Sequence, residues 1–191
     1  MATHRRWQVL LIASTLAGSW LGMQVVHEFG HALGARLTGG TVSKIVLLPW
    51  TLSRTELSSN PDPLVVTWAG PIVGVLLPLL AWSVAASFRW PGIYLLRFFA
   101  GFCLIANGAY LAGGAFYRLG DAGDLQRHGT ALWQLLAFAA MTVPAGLWLW
   151  HRQGPHFGLG SARGHVSRRA AYAVLAATSL VVVLEVMLSG E

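Results

Sequence analysis

Charge is what this chain has least of. Asp, Glu, Lys and Arg make up 10% of its 191 residues, where a soluble domain carries about a quarter, so it lacks the polar surface to cover itself in water. The few charges gather between long apolar runs instead of alternating with apolar residues, which excludes an ordinary soluble amphipathic fold. A single cysteine, Cys103, excludes an intramolecular disulfide, and its place inside an apolar run suits a small packing residue. No repeat or low-complexity tract divides the chain. The net charge of +6 raises nucleic acid as a partner, but Lys and Arg are scattered at the ends of the apolar runs, so none is expected.

What is abundant is apolar surface: 55% hydrophobic residues, nine Trp and a mean hydropathy of +0.58. Five segments reach the length of about 20 residues that crosses a ~30 Å hydrocarbon core as helix. They are roughly residues 8–26 (continuing as helix to about 37), 63–86, 92–117, 130–150 and 170–188. Trp7, Trp68, Trp90, Trp148 and Trp150 lie near their ends, where interfacial aromatics belong. The chain is therefore predicted to be an all-α integral membrane protein of about five transmembrane helices, one domain over 1–191, seated in a lipid bilayer. "HRRWQVLLIASTLAGSW" also has the basic head and small-residue tail of a cleaved signal peptide, but the apolar run continues unbroken through Val26, which favours a retained helix. Arg5, Arg6, Arg89, Arg152, Arg163, Arg168 and Arg169 fall on one side and Arg36, Lys44, Arg54, Arg118 and Arg127 on the other. The positive-inside rule then predicts the N-terminus in the cytoplasm and the C-terminus outside. The excess of Arg over Lys suggests a bacterial cytoplasmic membrane.

One stretch contradicts the apolar theme. "VVHEFGHALGARLTGG", residues 25–40, holds His27-Glu28-Phe29-Gly30-His31, an H-E-x-x-H motif. Residues four apart share a helix face, so both imidazoles can aim at one ion, with Glu28 beside them to handle a water. This is the arrangement of zinc hydrolases, two His ligands and a Glu as general base. Composition alone would produce about 0.005 such matches in a chain of this length, and ionisable groups inside a span are costly and usually functional.

Catalytic zinc needs a third protein ligand. The first and third spans run in the same direction, so "YRLGDAGDLQRHG" (117–129) brings Asp121 and Asp124 to the side where the histidines lie. Glu185 in the last span reaches that side too, as a competing ligand or an interfacial charge, and His128 is a weaker candidate. His151, His156 and His165 read as loop or interfacial residues.

These residues resemble a known family. "HEFGHALGARLTGG", "WAGPIVG" (68–74) and a later Asp among small residues are similar to the site-2 protease family of intramembrane zinc metalloproteases, over roughly residues 15–125. The resemblance implies His27, His31 and Asp121 as ligands of Zn2+, with Asp124 the alternate third ligand, and Glu28 as catalytic base. It implies that Asn107, fourteen residues before Asp121, sits in the site in contact with substrate. Asn107 can equally tie its helix to a neighbour. The family's Asp-Gly pair is absent: Ala122 follows Asp121 and Leu125 follows Asp124. The implied activity is zinc-dependent endopeptidase cleavage of the transmembrane segment of a protein substrate, by a minimal core without a PDZ module. The alternatives are a non-catalytic zinc-containing membrane binding or scaffold protein, which would not need Glu28, and a divalent-metal transporter, which would need more polar groups along a path.

Two further expectations concern packing. Ser14, Gly18, Gly22, Gly30 and Gly34 form a small-residue stripe expected to seat the first helix against the second and third, with Gly70 and Gly74 as a matching surface. Residues 41–58, rich in β-branched residues and broken by Pro49, are expected to form a short hairpin, re-entrant beside the site, whose edge accepts an unwound substrate as a strand.

Overall fold

Long apolar runs give long helices, because in a bilayer each backbone N–H and C=O must be satisfied within its own segment. The computed structural model describes residues 2–189, and side chains over residues 5–187. In chain order α1 spans Ala2–Leu37, strands β1 and β2 Thr41–Val46 and Arg54–Ser59, α2 Pro63–Ser87 and α3 Ile93–Tyr117. They are followed by α4 (Gly120–Arg127), α5 (Leu132–Trp150), two short 3-10 turns and α6 (Arg168–Ser189). All of these helices except α4 are long and apolar enough to cross a membrane. Their outer faces carry large exposed apolar side chains, among them Leu76, Leu80, Met141, Trp148 and Leu180. Such surface would be a liability in water and is the natural contact with lipid. Five apolar helices and a two-stranded hairpin after the first are what the composition predicted.

The packing fixes the helix directions. Gly22 faces Phe99, and His27 reaches Asn107, so α1 and α3 run parallel. Trp7 lies against Tyr172, and Thr178 donates to the Ser14 carbonyl at 3.0 Å, so α6 is parallel to α1 as well. Gly30 and Gly34 of α1 face Ala69 and Val66 of α2, which runs the other way, and Gly101 and Gly108 of α3 face Gly146 and Thr142 of antiparallel α5.

The small-residue stripe therefore has two jobs where one was expected. Gly30 and Gly34 do seat α1 on α2, but Gly18 faces α6 and only Gly22 faces α3. Gly70 and Gly74 do not match the stripe alone. A Cβ on Gly70 would overlap the His31 imidazole, and one on Gly74 would lie 2.8 Å from Asn107 Oδ1. The glycines of the W-A-G-P-I-V-G run make room for polar side chains that come in from α1 and α3.

The segment after α3 was expected to be a small-residue turn. It is a turn followed by a helix: Arg118 ends α3 at φ 54° and Gly120 turns the chain at φ 53°. Then α4 buries Ala122 and Leu125 completely against Leu111 and Ala115 of α3 and Leu135 of α5. Burial of those two side chains outweighs the poor helix propensity of "GDAGD" and aims the start of α4 back toward α1.

Candidate metal centre

His27 and His31 lie four residues apart on α1, about 15 Å or less along the helix from its C-terminal end. Their Nε2 atoms are 3.0 Å apart. Asp121, in the first turn of α4, places Oδ2 2.8 Å from His27 Nε2 and 3.3 Å from His31 Nε2. These three residues form a group able to hold a metal ion. Both histidines are buried, at 8% and 9% exposed.

The other ring nitrogens explain the geometry. His27 Nδ1 bonds to Asn107 Oδ1 at 2.7 Å, and His31 Nδ1 to the Val66 carbonyl at 2.9 Å. Asn107 Nδ2 donates to the Cys103 carbonyl at 2.9 Å, which fixes its oxygen toward His27. Each Nδ1 therefore faces a pure acceptor and carries the proton. The neutral tautomers leave both Nε2 lone pairs turned toward each other and toward a carboxylate. Three acceptors converge on one point, an arrangement that is repulsive until a cation or protons enter it.

Asp121 is held from several sides. Its backbone N–H donates to Tyr110 Oη at 3.3 Å, and the Tyr110 ring stands edge-on to His27 with centroids 6.0 Å apart.

Glu28 sits beside the group but is not part of it. It is 4% exposed, and its two oxygens accept from Ser53 Oγ at 2.7 Å and Thr55 Oγ1 at 2.6 Å. His27, Glu28, Asn107 and Tyr110 line a cavity of about 190 Å³, whose other walls include Trp20, Met23 and Leu52. The hairpin thus closes one side of the chamber.

The remaining candidates lie elsewhere. Asp124 pairs with Arg127 on the exposed side of α4. His128 bonds to the Asp124 carbonyl, and His156 stacks on Tyr94. Glu185 is not in the His-His-Asp group; it is 3% exposed on α6, and neither carboxylate oxygen has a partner among the described residues. Asn107 is 1% exposed, and its amide is engaged with His27 and Cys103. Sequence reasoning did not single out Gln24, Ser53, Thr55 and Tyr110. Gln24 had a signal, a polar amide inside a span one turn before Glu28, whereas hydroxyls in a connecting segment carry none.

Fold and site together define an integral membrane protein with a metal-capable centre buried between its helices. Residues 19–112, just under half of the chain, match the family model described as Peptidase M50B-like, in agreement with the resemblance read from the motifs. The matched segment holds His27, Glu28, His31, the hairpin, α2 and Asn107; Asp121 lies beyond it. No curated protein and no solved structure matches the chain.

Proposed function

We propose that this protein is a zinc-dependent intramembrane endopeptidase that cleaves transmembrane segments of protein substrates. The observation that carries the reading is the convergence of His27 Nε2, His31 Nε2 and Asp121 Oδ2 at 2.8–3.3 Å from one another. Ligands at zinc-bonding distance on a tetrahedron are separated by about 3.3 Å, so these donors fit the ion with shifts of a few tenths of an ångström. Two imidazoles and one carboxylate leave a fourth position, which is the composition of catalytic rather than structural zinc sites. When bound, zinc supplies a Lewis acid that polarises the scissile carbonyl and acidifies a water.

The chain's own residues supply the rest. Glu28 takes a proton from the attacking water on a carboxylate oxygen and returns it to the leaving amide nitrogen. Asn107 and the Val66 carbonyl hold the two imidazoles in the tautomer that presents Nε2 to the ion. Asn107 thus acts through His27, and contact with substrate remains open to it because it also lines the chamber. Asp121 is the third ligand, and Asp124, paired with Arg127, stays outside. A peptide bond in a helix is shielded, so the substrate segment must unwind to reach Glu28, and an exposed hairpin edge would hold it extended. Proline substitutions along residues 42–47 that left cleavage intact would remove that last element.

The membrane is proposed to be a bacterial cytoplasmic one, with the N-terminus inside. The experiment that tests the function is Glu28→Gln in purified, zinc-loaded protein. Retained zinc with cleavage of transmembrane peptides abolished is the expected result, and retained cleavage would refute the role of Glu28.

A further inference from the structure

The geometry points to Ser53 and Thr55 of the hairpin as positioning residues for the catalytic base, a conclusion that rests on the proposed peptidase reading. A carboxylate as buried as Glu28 needs hydrogen-bond donors, and α1 offers none, because its interior N–H groups are committed to its own carbonyls. The hairpin provides one hydroxyl to each oxygen: Ser53 Oγ to Oε1 at 2.7 Å and Thr55 Oγ1 to Oε2 at 2.6 Å. Each carboxylate oxygen has two lone pairs, so this capture leaves one on each for a water or a leaving amine. The hydroxyls therefore fix the rotation of the carboxylate without blocking it.

Extended chain makes this pairing possible. Successive side chains alternate in direction, so residues 53 and 55 share the face toward α1, while Arg54 between them turns outward and pairs with Glu56 at 2.9 Å. Both hydroxyls are placed by the backbone. The Ser53 N–H donates to Gln24 Oε1 at 2.9 Å, and Thr55 is registered opposite Ile45 of β1. Gln24 and Glu28 lie one turn apart on α1, so the helix grips the start of β2 at two levels. The position of the hairpin is in this way coupled to the orientation of the base, and a substrate strand that shifts the hairpin also shifts Glu28.

The test compares wild type, Thr55→Val, Thr55→Ser, Ser53→Ala, Ser53→Ala/Thr55→Val and Glu28→Gln in detergent, on a panel of synthetic transmembrane peptides of about 25 residues. Valine keeps the shape and strand propensity of threonine while removing the hydroxyl. Loss of one hydrogen bond to a charged group corresponds to about a tenfold or greater fall in rate. Thr55→Val and Ser53→Ala are each expected to lower kcat by about that factor, with KM within about twofold and zinc content unchanged. Thr55→Ser is expected to stay near wild type, and the double variant to fall further than either single one. A double variant with wild-type kcat, a loss expressed in KM alone, or a Thr55→Ser variant as impaired as Thr55→Val would overturn the positioning role while Glu28→Gln still defines the peptidase. If Thr55→Val does not fold, Ser53→Ala and Thr55→Ser decide the matter by the same criteria. A wild type that cleaves no peptide in the panel overturns the peptidase reading and this role with it.

Discussion

The middle of α1 and its C-terminal third are packed by the same residue type and built to different tolerances. Near its C-terminal end Gly30 and Gly34 press on parts of α2 that cannot rotate: a Cβ on Gly30 would strike the Ala69 carbonyl, and one on Gly34 would lie 2.7 Å from the Ala69 methyl and 3.1 Å from Val66 Cα. Around its middle Gly18 and Gly22 meet side chains instead, Thr178 of α6 and Phe99 of α3. Side chains can rotate away and backbone cannot. The polar residues follow the same division. Around His27 and His31 each Nδ1 has a hydrogen-bond acceptor and each Nε2 faces Asp121, while Glu185 on α6 has no partner among the described residues. The packing of α1 on the backbone of α2 beside the His-His-Asp group is the tighter part, and the contacts of Gly18 and Gly22 with side chains of α6 and α3 are the adaptable part.

Substitutions at the glycines sharpen this contrast. Gly30→Ala should have the largest effect, at or above the top of the about 1–3 kcal/mol range for overpacking, because only backbone can move. Thermal unfolding in detergent micelles would record it as a fall in midpoint. Gly70→Ala should leave more of the fold intact but displace His31, and metal titration should show zinc affinity lower by about 10–100-fold. A Gly70→Ala protein with wild-type affinity would mean that the ring has room that the structure does not give it. Asn107→Ala removes the acceptor for His27 Nδ1, and about a tenfold weakening in the same titration is expected. Gly18→Ala comes last: Thr178 can turn aside at the loss of its bond to Ser14, costing about 1 kcal/mol. If its melting midpoint fell as far as that of Gly30→Ala, the distinction between the middle of α1 and its C-terminal third would be lost.

Much of this was legible because the bilayer imposes simple rules. Length and apolarity located the helices, and the spacing of His27 and His31 placed two imidazoles on one face. Helix direction alone brought Asp121 to their side. The sequence was less informative wherever tertiary packing decided the outcome. The "GDAGD" segment has the residues of a turn, and only burial of Ala122 and Leu125 against α3 and α5 makes it helical. The stripe on α1 looked like one surface, since a list of small residues does not say which neighbour each one meets. The resemblance put Asp121 ahead of Asp124, and in the structure Asp121 faces the histidines while Asp124 pairs with Arg127 three residues on. Ser53 and Thr55 gave no signal at all, being common residues in a connecting segment whose significance lies wholly in the two oxygens they reach.

The central claim is that His27, His31 and Asp121 hold a zinc ion between α1 and α4. Elemental analysis of the protein purified in detergent, for wild type, His31→Ala, Asp121→Ala and Asp124→Ala, tests it most directly. The account predicts about one zinc per chain in wild type and Asp124→Ala and none retained in His31→Ala or Asp121→Ala. Wild-type protein that takes up no zinc when the metal is supplied, or an Asp121→Ala variant that keeps it while Asp124→Ala loses it, would contradict the site as described.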